Sequence, residues 1–433
     1  MGQPRLLTFY ELCILLGMCT AAFPETLLGL ESSIMLRYVY LLFGLAMIGS
    51  LCSRLSGRDG RLFLSPQMFI TGLAGAYMLV LGIVYQVELK FLLVDMVIFG
   101  SLVLGIQWGE SHHDGSAWRA AVQWNSVLVV MLLVNMIGLA KGFILPSEED
   151  SRIFNYGLFA CTGTISILFP VVYCGTDFIA NGKNVKMGKA LAVLGIIACV
   201  GAAFLTGTRS VLVVAIISIA VTMWLRLSLG KSLLWGTAGL LVWMGCKVNA
   251  DSRSPIAESV LIERFISADI ESSYRYQEVY SLFEQLEGHL FTGLGLGNRF
   301  WGIADLESEI LVLAPHIGIL TLLQKGGLVL FSVLIVLPLV RVITNLLRKR
   351  GYGECRKRRE FVPPAVWSAC CVVFMTQACI SGGWKCQSLF LFGAMLACAT
   401  RSAEVRQQKP VNKRPVISVS RTSLEQLSNC RAG

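Results

Sequence analysis

Apolar residues along this chain gather into blocks of roughly 17 to 25, separated by short polar stretches. That block length is what a helix needs to cross about 30 Å of hydrocarbon at 1.5 Å per residue. A closed transmembrane barrel would show short segments of alternating polarity instead, and none is evident. The blocks predict an all-α, polytopic membrane protein with about twelve spans, at 6–23, 34–51, 66–84, 91–108, 120–140, 154–172, 190–205, 211–225, 233–246, 311–340, 362–380 and 389–398. The organisation that follows is an N-terminal bundle of about nine spans over 1–246, a loop over 247–310, C-terminal spans over 311–400 and a polar tail over 401–433. The first apolar block lacks the flanks of a cleavable signal, so it is expected to be a retained span.

Composition agrees with a bilayer as solvent: 55% of the 433 residues are hydrophobic and 15% charged. Lysine and arginine set the orientation, because cytoplasmic loops retain them. The stretch 341–359 carries Arg341, Arg348, Lys349, Arg350, Arg356, Lys357, Arg358 and Arg359, which assigns it to the cytoplasm. Alternation from there places both termini, Arg54, Arg58, Arg61, Lys183, Lys186, Lys189 and Arg226 inside. The 247–310 loop and the acidic 148–150 segment then lie outside. The nearly neutral segment 110–119 is expected to be a cytoplasmic loop. The net charge of +10 is thus a topology signal, and a nucleic-acid partner is not expected. Most of the fourteen cysteines lie in apolar blocks, where a thiol behaves as a small hydrophobe, and no CxxC pair occurs.

Polar residues inside apolar blocks point to chemistry. Residues 190–225 contain one charge, Arg209, and a single helix of that length would reach about 54 Å, so the chain must fold back near Thr206–Thr208. An arginine at such a tip either snorkels to headgroups or, held by a tight turn, grips an anion bidentately. In the large loop an amphipathic stretch over 256–286 repeats Val260, Leu261, Phe265, Val279, Leu282 and Phe283 at helical spacing, and suggests surface helices. Arg264 and Arg275 lie within it, as interfacial ion-pair partners or as anion contacts. The glycine turn FTGLGLGNRF follows, with Gly293, Gly295 and Gly297 allowing close backbone approach. His316 stands after Pro315 at the entrance of the tenth span, and Lys325 with Gly326 and Gly327 implies a break or polar lining within it. His112 and His113 lack the i, i+4 spacing of a helical metal site, so no metal is expected there.

Taken in order, TGTRSVL, SSYRYQEVY, FTGLGLGNRF and PHIGILTLLQKGG resemble the O-antigen ligase and O-antigen polymerase superfamily, most strongly over residues 201–340. That resemblance implies a GT-C-like glycosyltransferase of the bacterial inner membrane, facing the periplasm and independent of metal, cofactor and nucleotide sugar. Its donor would be a glycan on undecaprenyl diphosphate. The acceptor would be lipid A core for a ligase, or another lipid-linked glycan for a polymerase, which would also partner a chain-length regulator. Arg209 and Arg275 would hold the diphosphate, with Arg264 and Lys325 as weaker substrate contacts, and His316 would assist the acceptor hydroxyl. Membrane lipids are expected around the whole bundle. Two alternatives stand beside this: a flippase or exporter of lipid-linked glycans, which usually shows two similar halves absent here, and a cell-shape peptidoglycan polymerase, which has fewer spans.

Overall fold

The computed structural model describes residues 8–22, 32–55, 65–112, 114–141, 156–178, 183–206, 208–227, 278–305, 308–312, 317–349, 362–380 and 383–404. Helices dominate: α1 (Phe9–Ala22), α2 (Ser32–Leu55), α3 (Pro66–Val84), α4 (Leu89–Ser111), α5 (Asp114–Ala140), α6 (Tyr156–Phe178), α7 (Lys183–Thr206) and α8 (Arg209–Arg226). A short helical segment at 278–285 leads through the glycine turn to an antiparallel hairpin, β1 (Phe300–Asp305) and β2 (Ser308–Val312). Then α9 (Gly318–Phe331) runs through a π-helical turn (Ser332–Val336) into α10 (Leu337–Leu347), followed by α11 (Pro364–Ile380) and α12 (Cys386–Glu404). Among the described residues eight helices, counting α9 to α10 as one, are long and apolar enough to cross a bilayer, and α1, α11 and α12 carry shorter apolar stretches. The protein is a multi-pass, predominantly helical membrane protein.

The span at 66–84 coincides with α3, whose start is marked by Ser65 accepting the Met68 amide and by Pro66 at the first helical position. Three expectations are corrected. Residue 311 does not open the tenth span: it lies in β2 opposite Trp301, and the helix begins only at Gly318. The segment 110–119 is not a loop, since α4 reaches Ser111 and α5 starts at Asp114. Of the expected apolar face over 278–286, Leu282 is buried against Leu286, Phe300 and Leu323, while Phe283 is exposed. The expected span at 233–246 and the loop up to residue 277 lie outside the described residues.

Close packing holds the bundle. Gly105 of α4 meets Gly393 of α12 and Gly109 meets Ala394 so tightly that a Cβ at Gly105 would stand 2.1 Å from the Phe390 carbonyl oxygen. Small residues four apart allow such approach between membrane helices. Around this contact Phe390, Trp108, Trp124 and Phe43 form an aromatic core, with Trp108 and Trp124 centroids 4.9 Å apart. Pro170 interrupts α6 and leaves the Ser166 carbonyl without its helical donor. The Ser218 hydroxyl of α8 supplies one at 2.8 Å.

In α9 the chain departs from helical geometry at Gly327, where φ is 67° and ψ is −179°. The carbonyls of Gln324 and Lys325 lose their helical partners there and accept instead the amides of Leu294 and Gly295, at 2.8 and 2.9 Å. The Leu328 amide in return donates to the Leu290 carbonyl at 2.8 Å, and Leu296 donates to Met78 of α3 at 2.9 Å. The glycine turn and the broken helix therefore satisfy each other's backbone, as a low-dielectric surrounding demands. Gly295, at φ 80°, has space for no side chain, since a Cβ would lie 2.3 Å from the Gly82 amide nitrogen. Gly295→Ala is expected to destabilise the protein by at least the 1–3 kcal/mol typical of a strained backbone, roughly, because the clash adds to it. Thermal unfolding in detergent checks this against Gly72→Ala, whose new methyl meets nothing within 4 Å.

Candidate functional site

The starts of α6, α8, α9 and α12 and the glycine turn share one end of the bundle. Arg209 is the first residue of α8, half-buried, directly after the Thr206–Thr208 turn in which the two threonine hydroxyls lie 2.7 Å apart. Thr206 and Thr208 line a small cleft with Leu158, Phe159 and Thr162 of α6. The Phe159 ring also borders a second cleft, lined by Gln377, Gly383, Lys385, Gln387 and Ser388. Lys385 Nζ stands 5.2 Å from the centre of that ring. Gly383 in turn lies beside Gly318, the first residue of α9. The sequence-predicted hairpin tip thus shares a wall with the turn between α11 and α12, and that turn touches the start of α9, two residues beyond position 316.

What aims Lys385 is a buried node beneath it. Asp95 of α4 and Lys325 of α9 form an ion pair of 2.5 Å, both at 0% exposure. The carboxylate also accepts the Gly297 amide at 2.6 Å and the Trp384 indole N–H at 2.9 Å, while Lys325 donates to the Asn298 carbonyl at 2.9 Å. One carboxylate therefore joins α4, α9, the glycine turn and the residue preceding Lys385. Charges at this depth persist only when paired and fully hydrogen-bonded.

Lys325, expected as a weak substrate contact, is instead enclosed by this node, and its ammonium has no surface to offer a ligand. His316, Arg264 and Arg275 lie outside the described residues. His112 faces the opposite end of the bundle: Nε2 is 2.6 Å from Glu11 Oε1, Nδ1 is 2.8 Å from the Trp108 carbonyl, and the ring stacks on Trp108. These contacts give His112 a packing role between α1 and α4.

Two residues of this region escaped the sequence reading although their signal was present. Asp95 is the only charge between Phe91 and Gly109, and Lys385 the only one between Val362 and Thr400. An isolated charge in an apolar block calls for a named partner or a functional surface. No family model matches the chain, and no curated protein matches it.

The node makes a thermodynamic prediction. Lys325→Met alone strands a buried carboxylate and is expected to cost about 3–5 kcal/mol, whereas Asp95→Leu combined with Lys325→Met costs much less. Unfolding midpoints of the two single variants and the double variant in one detergent check this, and strictly additive losses contradict the pairing.

Proposed function

We propose that this protein is a membrane glycosyltransferase of O-antigen ligase type, transferring a glycan from a polyprenyl diphosphate to a sugar hydroxyl at the outer face of the bacterial inner membrane. The observation that carries the reading is the shared Phe159 wall. It sets the turn leading to Arg209 beside the Lys385 turn, which itself abuts the start of α9. Segments more than a hundred residues apart thereby border one region at a bundle end, where a lipid-anchored substrate arrives sideways from the bilayer.

The chemistry suits cations at this place. The acceptor oxygen bonds to the donor's anomeric carbon as the bond from that carbon to phosphate oxygen breaks, and the electron pair leaves on the diphosphate. Negative charge therefore grows on the leaving group, and fixed guanidinium and ammonium groups in a partly dry site stabilise it. Arg209 holds the diphosphate in this scheme, with Arg275 as its companion and Lys385 as an added contact. His316 takes the hydroxyl proton, a role suited to a group that titrates near neutral pH. The acceptor is lipid A core; a second lipid-linked glycan would make the enzyme a polymerase instead.

The test is transfer by purified protein in liposomes supplied with a polyprenyl-diphosphate glycan and, separately, lipid A core or more of the same donor. Arg209→Ala is expected to lower turnover on the order of 10²-fold. Arg209→Lys should be nearly as damaging, because the planar fork is lost while charge remains. Full activity in the lysine variant contradicts the bidentate role. His316→Ala should keep donor binding while turnover collapses, and equal loss of both would make the histidine structural. Passage of donor across the liposome without a new glycosidic bond would identify a transporter.

A further inference from the structure

The glycine turn ends in an arginine that neither the buried ion pair nor the arrangement around Arg209 uses. Arg299 directly precedes β1, and its Cζ stands 3.6 Å from the centre of the Phe91 ring. A guanidinium comes that close only by lying flat on the ring. Its N–H groups, which all lie in the guanidinium plane, then point along the ring rather than into it and stay available to an acceptor. Among the described residues none accepts from them, and Nε is buried without a partner. The carboxylates at this end of α4 are engaged by other cations: Glu88 holds Lys90 at 2.7 Å and Asp95 holds Lys325 at 2.5 Å.

The surroundings narrow what can reach this guanidinium. Phe91 lies one helical turn before Asp95 on α4, and the Gly297 amide and the Trp384 indole N–H occupy the two oxygens of that carboxylate. Arg299 and Lys385, two and one residues further along, are therefore both placed by Asp95. The hairpin extends the region towards α9: Phe300 pairs with Val312, so the segment running from β2 to position 316 leaves beside Arg299. Leu89 and Leu93, two positions to either side of Phe91, are 68% and 51% exposed, so lipid borders the site. A cation at that border, with in-plane donors and no counter-charge, is matched by a phosphate carried on a lipid, whose oxygens a guanidinium takes in pairs.

We infer that Arg299, on its Phe91 platform, binds a phosphate group of a membrane-embedded lipid. On the glycosyltransferase reading, on which only the choice of lipid rests, this is the donor's diphosphate, and Arg299 is a further cation for the leaving group alongside Lys385. A phospholipid headgroup offers the same chemistry.

Native mass spectrometry of the detergent-purified full chain tests this with three probes: undecaprenyl diphosphate, undecaprenol, which has the same chain without phosphate, and phosphatidylglycerol. Arg299→Gln is expected to weaken retention of undecaprenyl diphosphate roughly tenfold and to leave undecaprenol unchanged. If that variant does not insert, Phe91→Leu removes the platform and should weaken the same retention severalfold. A loss confined to phosphatidylglycerol supports the phosphate site and makes a bilayer phospholipid its occupant. Undiminished retention of both phosphate lipids in a folded variant, or an equal loss of undecaprenol, would overturn the site. Glycan transfer is not read in this experiment, so a protein that proves to be a transporter can still show the Arg299 effect, and an active transferase can lack it.

Discussion

Every polar group placed at membrane depth must find its partner within the protein, since hydrocarbon offers none. Among the described residues, the contact of the broken helix α9 with the glycine turn meets this demand. Breaking α9 at Gly327 frees carbonyls, the incoming turn brings amides, and the exchange closes both sets. The Asp95 to Lys325 ion pair beneath it adds the one arrangement in which two charges remain at 0% exposure. The turn, the ion pair and Trp384 then form a rigid floor on which the exposed end of the bundle is built.

That floor determines what the surface can do. Trp384 is tied to Asp95, so the next residue, Lys385, is placed against Phe159. Phe159 belongs to α6, a largely buried helix whose proline defect is repaired by Ser218 of α8. The helix that begins with Arg209 is thus pinned to the helix that carries the shared aromatic wall. Among the described residues, positioning therefore passes from buried packing to the Arg209 and Lys385 cations.

Much of the helical frame could be read from the chain. Block length alone located α3 to the residue and α1, α2, α4, α8 and α11 within four positions, because the thickness of the bilayer imposes a length on each run, whereas α5, α6, α7, α12 and the α9 to α10 span each differ at an end by six or seven residues. The fold-back at Thr206–Thr208 was legible for the same reason: a continuous helix would have been too long. What was not legible depends on partners distant in sequence. Asp95 and Lys325 each appear as isolated charges, and their pairing emerges only when α4 and α9 are brought together. The hairpin ending at Val312 was hidden because Leu311 and Val312 adjoin a long apolar run, so hydropathy merged strand with span. The start of α5 at Asp114 was missed because polar residues at the bundle's edge mask helix in a hydropathy reading.

The central claim is that the hairpin tip at α8 and the entrance to α9 border one site. Cross-linking with a short bis-maleimide tests it most directly, using Thr208→Cys and His316→Cys together in a protein whose exposed Cys52 and Cys379 have been replaced. The pair Tyr85→Cys and His289→Cys serves as control, since those native side chains meet at 3.1 Å. Efficient cross-linking of 208 to 316 in membranes is the expected result. Efficient cross-linking of the control with none between 208 and 316 would contradict a shared site.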